Sequence, residues 1–238
     1  MAARIDLGDL PVEVVRKDIK NLHLSVLPPA GKVRIAAPRQ MSLDTIRVFA
    51  ISKLAWIKGQ QRKLLAQERE APCEYLDRES HHVWGRRYLL RRIEKDAAPS
   101  IALGHGKLVL QVRPSTDEAR CREILDGWYR EQIRAATPPL IAKWESRMNV
   151  KVGRVFVQRM KTRWGSCNPA TRSIRLNTEL AKKPPECLEY ILVHEMAHLI
   201  EPTHNAQFTA LMEMLMPAWP HLRRLLNHLP VRHEEWAY

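Results

Sequence analysis

The stretch LEYILVHEMAHLI, residues 188–200, constrains this chain more than any other. Leu188, Ile191, Leu192, Val193, Met196, Ala197, Leu199 and Ile200 fall on nearly every side of a helical wheel. A helix that is apolar all round belongs inside a fold. Lys183-Pro184-Pro185-Glu186 opens it, with proline in the first turn, where a missing N–H costs nothing. Pro202 stops it near Ile200 or Glu201. Polar groups inside such a helix are costly unless they are paired or hold a metal. This one carries His194, Glu195 and His198.

The spacing of those three residues is specific. His194 and His198 are four apart, one turn along one helix face. Two imidazoles so placed reach one zinc ion at about 2.0–2.1 Å. Glu195 is rotated by one residue, where it meets a metal-bound water without binding the metal, as in an H-E-x-x-H helix. A catalytic zinc site needs a third protein ligand and one open position. His204, just past the Pro202 stop, is the candidate. Glu201 is an acidic alternative with poor reach from the helix end. Cys167 is a second alternative, read here as a small buried residue at a turn. The interval from His198 to His204 equals that of metzincins, but Glu201 replaces their turn glycine, so this turn is of another kind. His81, His82 and His105 read as solvated, and His221, His228 and His233 as surface or packing residues.

The rest of the chain reads as α+β. Residues 12–16, 22–26 and 32–36 alternate as strands, the last two joined as a hairpin through Pro28, Pro29 and Gly31. Ser42 caps one long helix over residues 43–70, with Ile46, Phe49, Ala50, Leu54 and Ile57 at helical spacing. Residues 83–87, 88–93, 101–103 and 107–112 read as small antiparallel strands. Longer helical periods begin near residue 116. A helix over 118–133 comes first, and Pro138 and Pro139 start another to about 148. Then follow a strand over 150–160, a turn over 165–171 and a strand over 173–178. No internal repeat is visible. The expected division is a strand-rich module with one long helix over 1–116 and a domain around the H-E-x-x-H helix over 117–238.

The net charge of +13 draws polyanions. Lys53, Lys58, Arg62 and Lys63 on the first helix are the contacts a nucleic acid would use. No apolar run approaches the roughly 18–20 residues of a membrane span. The N-terminal twenty residues have no apolar core of a secretory signal, which sets a cytoplasmic location and four free thiols as expectations.

Further segments carry a resemblance. RMKTRWGSC at 159–167, SIRLNTEL at 173–180, PPECLEYILVHEMAHLIEPTHNAQF and PAWPHLRRLLN occur in that order, with ISKLAWI at 51–57 upstream. The chain resembles the YgjP-like predicted metal-dependent hydrolases. These are relatives of the SprT-like and WLM metalloproteases, some of which cleave proteins crosslinked to DNA. The resemblance covers most of the chain and is weakest over 66–116 and after Asn227. It implies a zincin-like core, a small sheet packed on the active-site helix, with His194, His198 and His204 holding Zn2+ and Glu195 as base. The expected activity is that of a zinc metallopeptidase on a peptide or protein. An edge strand over 155–160 would pair with an extended substrate, Arg163 would support the developing oxyanion, and Trp164 would stand beside it at the cleft. The rival reading is a nucleic-acid-associated or DNA–protein crosslink-processing protein recruited through its basic surface.

Overall fold

The computed structural model describes residues 2–27, 30–66, 74–160 and 163–230. The chain divides into two compact units, residues 1–72 with 230–238, and residues 73–229. Each has its own apolar core.

The first unit is a four-stranded sheet of β1 (Ala2–Leu7), β2 (Leu10–Lys17), β3 (His23–Leu27) and β4 (Lys32–Pro38), in the order β1-β2-β4-β3. Alternation builds its inner face. Val12 and Val14 of β2 pair in parallel with Val33 and Ile35 of β4, and all four are buried. Ser42 caps the next helix by accepting from the Thr45 N–H. The expected single helix is two, α1 (Leu43–Ser52) and α2 (Leu54–Ala66), because the backbone breaks at Lys53. Ile46, Ala50 and Ile57 close the core over the sheet. Residues 67–70, also expected to be helical, lie outside the described residues.

The second unit opens with the same strand order. β5 (Ser80–Val83), β6 (Arg86–Glu94), β7 (Ser100–Gly104) and β8 (Lys107–Val112) are arranged β5-β6-β8-β7. The pairings match those of the first sheet: antiparallel, then parallel, then antiparallel. A helix follows each sheet. The chain thus contains a repeat of topology that its sequence does not display. His81, read as solvated, is buried on the inner face of β5, 3.3 Å from Glu79. His82 is half-buried and His105 exposed.

α3 (Glu118–Met148) is one helix of 31 residues where two were expected. Pro138 and Pro139 lie inside it and remove two backbone donors. The helix continues because Cys121, Leu125, Tyr129, Ile133 and Thr137 form a buried ladder at four-residue steps, extended by Trp144 and Met148. The Thr137 hydroxyl also donates to the Ile133 carbonyl.

A three-stranded sheet of β9 (Arg154–Gln158), β10 (Gly165–Asn168) and β11 (Ser173–Asn177), ordered β10-β11-β9, packs on α4 (Pro185–Ala197). A 3-10 turn, Thr178–Lys182, leads into α4 and is seated by the β5–β6 hairpin. Trp84 and Gly85, both at positive φ, donate N–H groups to the Ala181 and Lys182 carbonyls at 2.8 and 3.2 Å. A Cβ on Gly85 would lie 2.9 Å from Pro184 Cγ, so glycine lets the hairpin approach the start of α4. α5 (Ala206–Leu215) and α6 (Trp219–His228) complete the unit. Among the described residues no helix is long and apolar enough to cross a membrane.

Candidate metal centre

α4 ends at His198, earlier than Pro202 alone requires. The Ile200 and Glu201 N–H groups both bond the Ala197 carbonyl, turning the chain out of the helix. The Glu201 carboxylate then accepts from the Thr203 N–H at 3.2 Å and the Thr203 hydroxyl at 2.9 Å. These bonds hold its pKa below the ordinary carboxylate value. Glu201 is therefore engaged in shaping the turn. Asn205 caps α5 through a bond from the Phe208 N–H. The turn returns His204 to the helix face.

Three imidazoles converge there. One ring nitrogen from each of His194, His198 and His204 lies within 4.8 Å of the others. His194 Nε2 and His204 Nε2 are 3.0 Å apart. Nδ1 of His198 lies 3.1 Å from the Glu201 carbonyl, an acceptor only, so Nδ1 carries the proton and Nε2 the lone pair. Burial, chiefly, lowers His194 to about 4, and the other two imidazoles and Arg223 add to the effect. His204 is lowered by burial first, then by His198 and Arg223. Three converging imidazoles could hold a metal ion, and such a donor set suits zinc. Phe208 braces them. It is stacked on His198 at 4.7 Å and meets the His194 and His204 rings edge-on at 5.0 and 4.8 Å. Cys167 stands outside the ligand group, and burial, together with the Glu195 charge, raises its thiol to about 11.

Glu195 is buried on the side of α4 that faces β10, only 6% exposed. Burial pushes its carboxyl up to about 7, against the opposing Arg163 charge and a hydrogen bond from the Cys167 N–H. Gly165 makes the fit. A Cβ there would stand 2.7 Å from Glu195 Oε1 and 2.9 Å from Ile191 Cγ2. Asn177, buried behind this strand, donates its amide N–H to the Met160 and Arg163 carbonyls at 2.9 and 2.8 Å. It thereby fixes the chain on both sides of residues 161–162.

The imidazoles and Glu195 line a cleft of about 930 Å³. Arg163 and Trp164 line it as well. The strand at the cleft is β10, where a turn was expected, and not the expected strand at 155–160. β9 is separated from β10 by β11. Tyr190, Phe208, Trp219 and Arg223 also line the cleft, and in the sequence alone they had no assigned role. Tyr190 had a visible signal, since it stands one turn before His194. The others stand on α5 and α6, where only the fold reveals what they face. Lys53, Lys58 and Arg62 are exposed on the first unit's helices, and the side chain of Lys63 lies outside what is described. His221 and His228 are exposed, and His233 lies outside the described residues. Cys121, Cys167 and Cys187 are free thiols, and Cys73 is outside the described residues.

A family model described as "YgjP-like, metallopeptidase domain" matches residues 20–229. No curated protein matches the chain. Among solved structures, the metallopeptidase zymogen abylysin of Pyrococcus abyssi aligns at 20% identity over 40% of this chain and 97% of its own, with a TM-score of 0.36. The jannalysin zymogen of Methanocaldococcus jannaschii aligns at 18% identity over 40% of this chain and 86% of its own, with a TM-score of 0.32.

Proposed function

This chain belongs to the YgjP-like metallopeptidase family, and from that membership we propose that it is a zinc peptidase with Glu195 as its general base. The observation that carries the proposal is the convergence of His194, His198 and His204 within 4.8 Å beside a buried carboxylate. His194, His198 and His204 would hold the metal through their converging ring nitrogens. Zinc at such a site supplies Lewis acidity, acidifying a water and polarising a carbonyl.

The chain's own residues do the rest. Glu195 takes the proton of the attacking water on its carboxylate and delivers it to the departing amine. The Cys167 N–H and the Arg163 charge favour its ionised form while burial opposes it, which leaves a carboxylate able both to accept and to release a proton. The small sheet packed on α4 is, in this reading, a zincin-like core, and β10 and Trp164 form one wall for an extended substrate. Arg163, placed beside Glu195, would act on the base as well as on the oxyanion first assigned to it.

Replacing Glu195 by Gln tests this. Gln keeps the shape but cannot take the proton, so hydrolysis of an unfolded protein should fall by about 10²–10⁴ while zinc is retained. An equally active variant would contradict the role of base, and one that loses zinc would make Glu195 a ligand.

The second reading, recruitment to nucleic acid, is favoured by one observation. Trp56, 47% exposed, stands among the exposed cations Lys53 and Lys58, and cations interleaved with an aromatic suit a single strand. Oligonucleotide affinity should then fall steeply with salt, and a flat response would leave these residues a solvated face.

A further inference from the structure

α6 gives the metal cleft a wall of a chemistry that the reaction does not use. Trp219, Arg223 and Asn227 recur at four-residue steps, so they share one face of the helix, and all three line the cleft. The Trp219 indole N–H is buried without an acceptor among the described residues. A buried donor left unpaired is costly and marks a place where an acceptor belongs. Arg223 is exposed into the same space. Glu195 is the only carboxylate among the described lining residues, and the charge acting on it is that of Arg163. The wall therefore offers an indole N–H, a guanidinium and a carboxamide, with no acid of its own to satisfy them.

We propose that this face of α6 recognises a carboxylate of the substrate, with Arg223 as the specificity-determining residue. The inference rests on the peptidase reading and adds the substrate class, a peptide that brings a negative charge into the cleft. A guanidinium pairs with a carboxylate in planar, two-bonded geometry, and the Trp219 N–H adds a neutral donor beside it. The carboxylate can come from an Asp or Glu side chain or from the peptide C-terminus. Both present the same group to the wall.

Binding tests this separately from cleavage. Zinc-loaded protein carrying Glu195→Gln is titrated with fluorescent peptides of one length, read by anisotropy. The neutral peptide has Gln and an amidated end, the second replaces Gln by Glu, and the third has a free C-terminal carboxylate. One or both acidic peptides should bind about tenfold or more tightly than the neutral one, as a charge-assisted pair requires. Adding Arg223→Gln should erase the difference, and Arg223→Glu should favour a Lys-containing peptide. Lys95→Gln, which removes one exposed cation outside the cleft, should change nothing. Whichever acidic peptide gains shows the source of the carboxylate. Equal binding of all three peptides overturns the proposal, as does a preference that survives Arg223→Gln. Wild-type protein that shows the preference but cleaves none of the peptides would contradict the peptidase reading and leave the carboxylate wall standing.

Discussion

Glu195 accepts from the Cys167 N–H, feels the Arg163 charge, and packs against the strand where Gly165 leaves it room. Gly165 is the least replaceable. A methyl at its Cα would fall 2.7 Å from Glu195 Oε1 and 2.8 Å from Glu195 Cγ. β10 or the carboxylate must then move, a type of overpacking that costs about 1–3 kcal/mol. Gly165→Ala is expected to keep its zinc, because the added methyl meets Glu195 and Ile191 and none of the three imidazoles. Its peptide hydrolysis should fall by roughly tenfold or more, since a displaced base transfers protons poorly. Zinc stoichiometry and rate measured on one preparation check this, and an unimpaired rate would contradict the packing argument. The residue scale is also where the sequence was most legible. His194, Glu195, His198 and His204 lie within eleven positions, so helical geometry and one proline stop were enough to group them. Arg223 and Phe208 were not legible. A helical wheel tells which side chains share a face, but not what that face meets.

At the scale of elements, the Glu189 carboxylate of α4 ties that helix to α3, beside the apolar core the two share. Glu189 accepts from the Lys143 ammonium at 2.6 Å and the Trp144 indole N–H at 2.8 Å. Burial raises its pKa, but these two bonds and the Lys143 and Arg147 charges outweigh it, leaving the pKa below its usual value. A carboxylate depressed in the folded state adds stability above its unfolded pKa of 4.5. That stability is lost as pH falls through the lower, folded value. Glu189→Gln should therefore destabilise the fold at neutral pH by roughly 1 kcal/mol, as for a bond to a charged partner that is half exposed, and so lower the melting temperature. It should also flatten the loss of stability below about pH 5. Thermal melts from pH 7 to pH 3 measure both, and parallel curves for variant and wild type would contradict the assignment. α3 itself shows why element boundaries were misread. Pro138 and Pro139 are strong local stop signals, yet the buried ladder from Cys121 to Thr137 and onward to Met148 overrides them. β10 is the converse case. Gly165-Ser166-Cys167-Asn168 has no strand alternation, and it is a strand because β11 pairs with it, while its Cys167 N–H bonds Glu195.

For the whole molecule, the repeated sheet changes how the chain is divided. The inner face of the second sheet, Leu90, Leu108, Leu110 and Val112, shares a core with Cys121, Leu125 and Tyr129 of α3. The fragment 73–229 should accordingly fold and bind zinc, whereas the division read from the change to longer helical periods near residue 116 predicts the same of 117–238. Circular dichroism and zinc content of the two fragments decide between them. The repeat escaped the sequence because the two sheets share an alternation of apolar positions, Val33, Ile35 and Ala37 against Leu108, Leu110 and Val112, and not residue identities. The proposed chemistry depends on a metal held by three imidazoles, and zinc content reads that out. Plasma mass spectrometry of purified wild-type, His204→Ala and Glu201→Gln proteins should find close to one zinc per chain in the first and third and far less in the second. Full zinc in His204→Ala with loss in Glu201→Gln would contradict it.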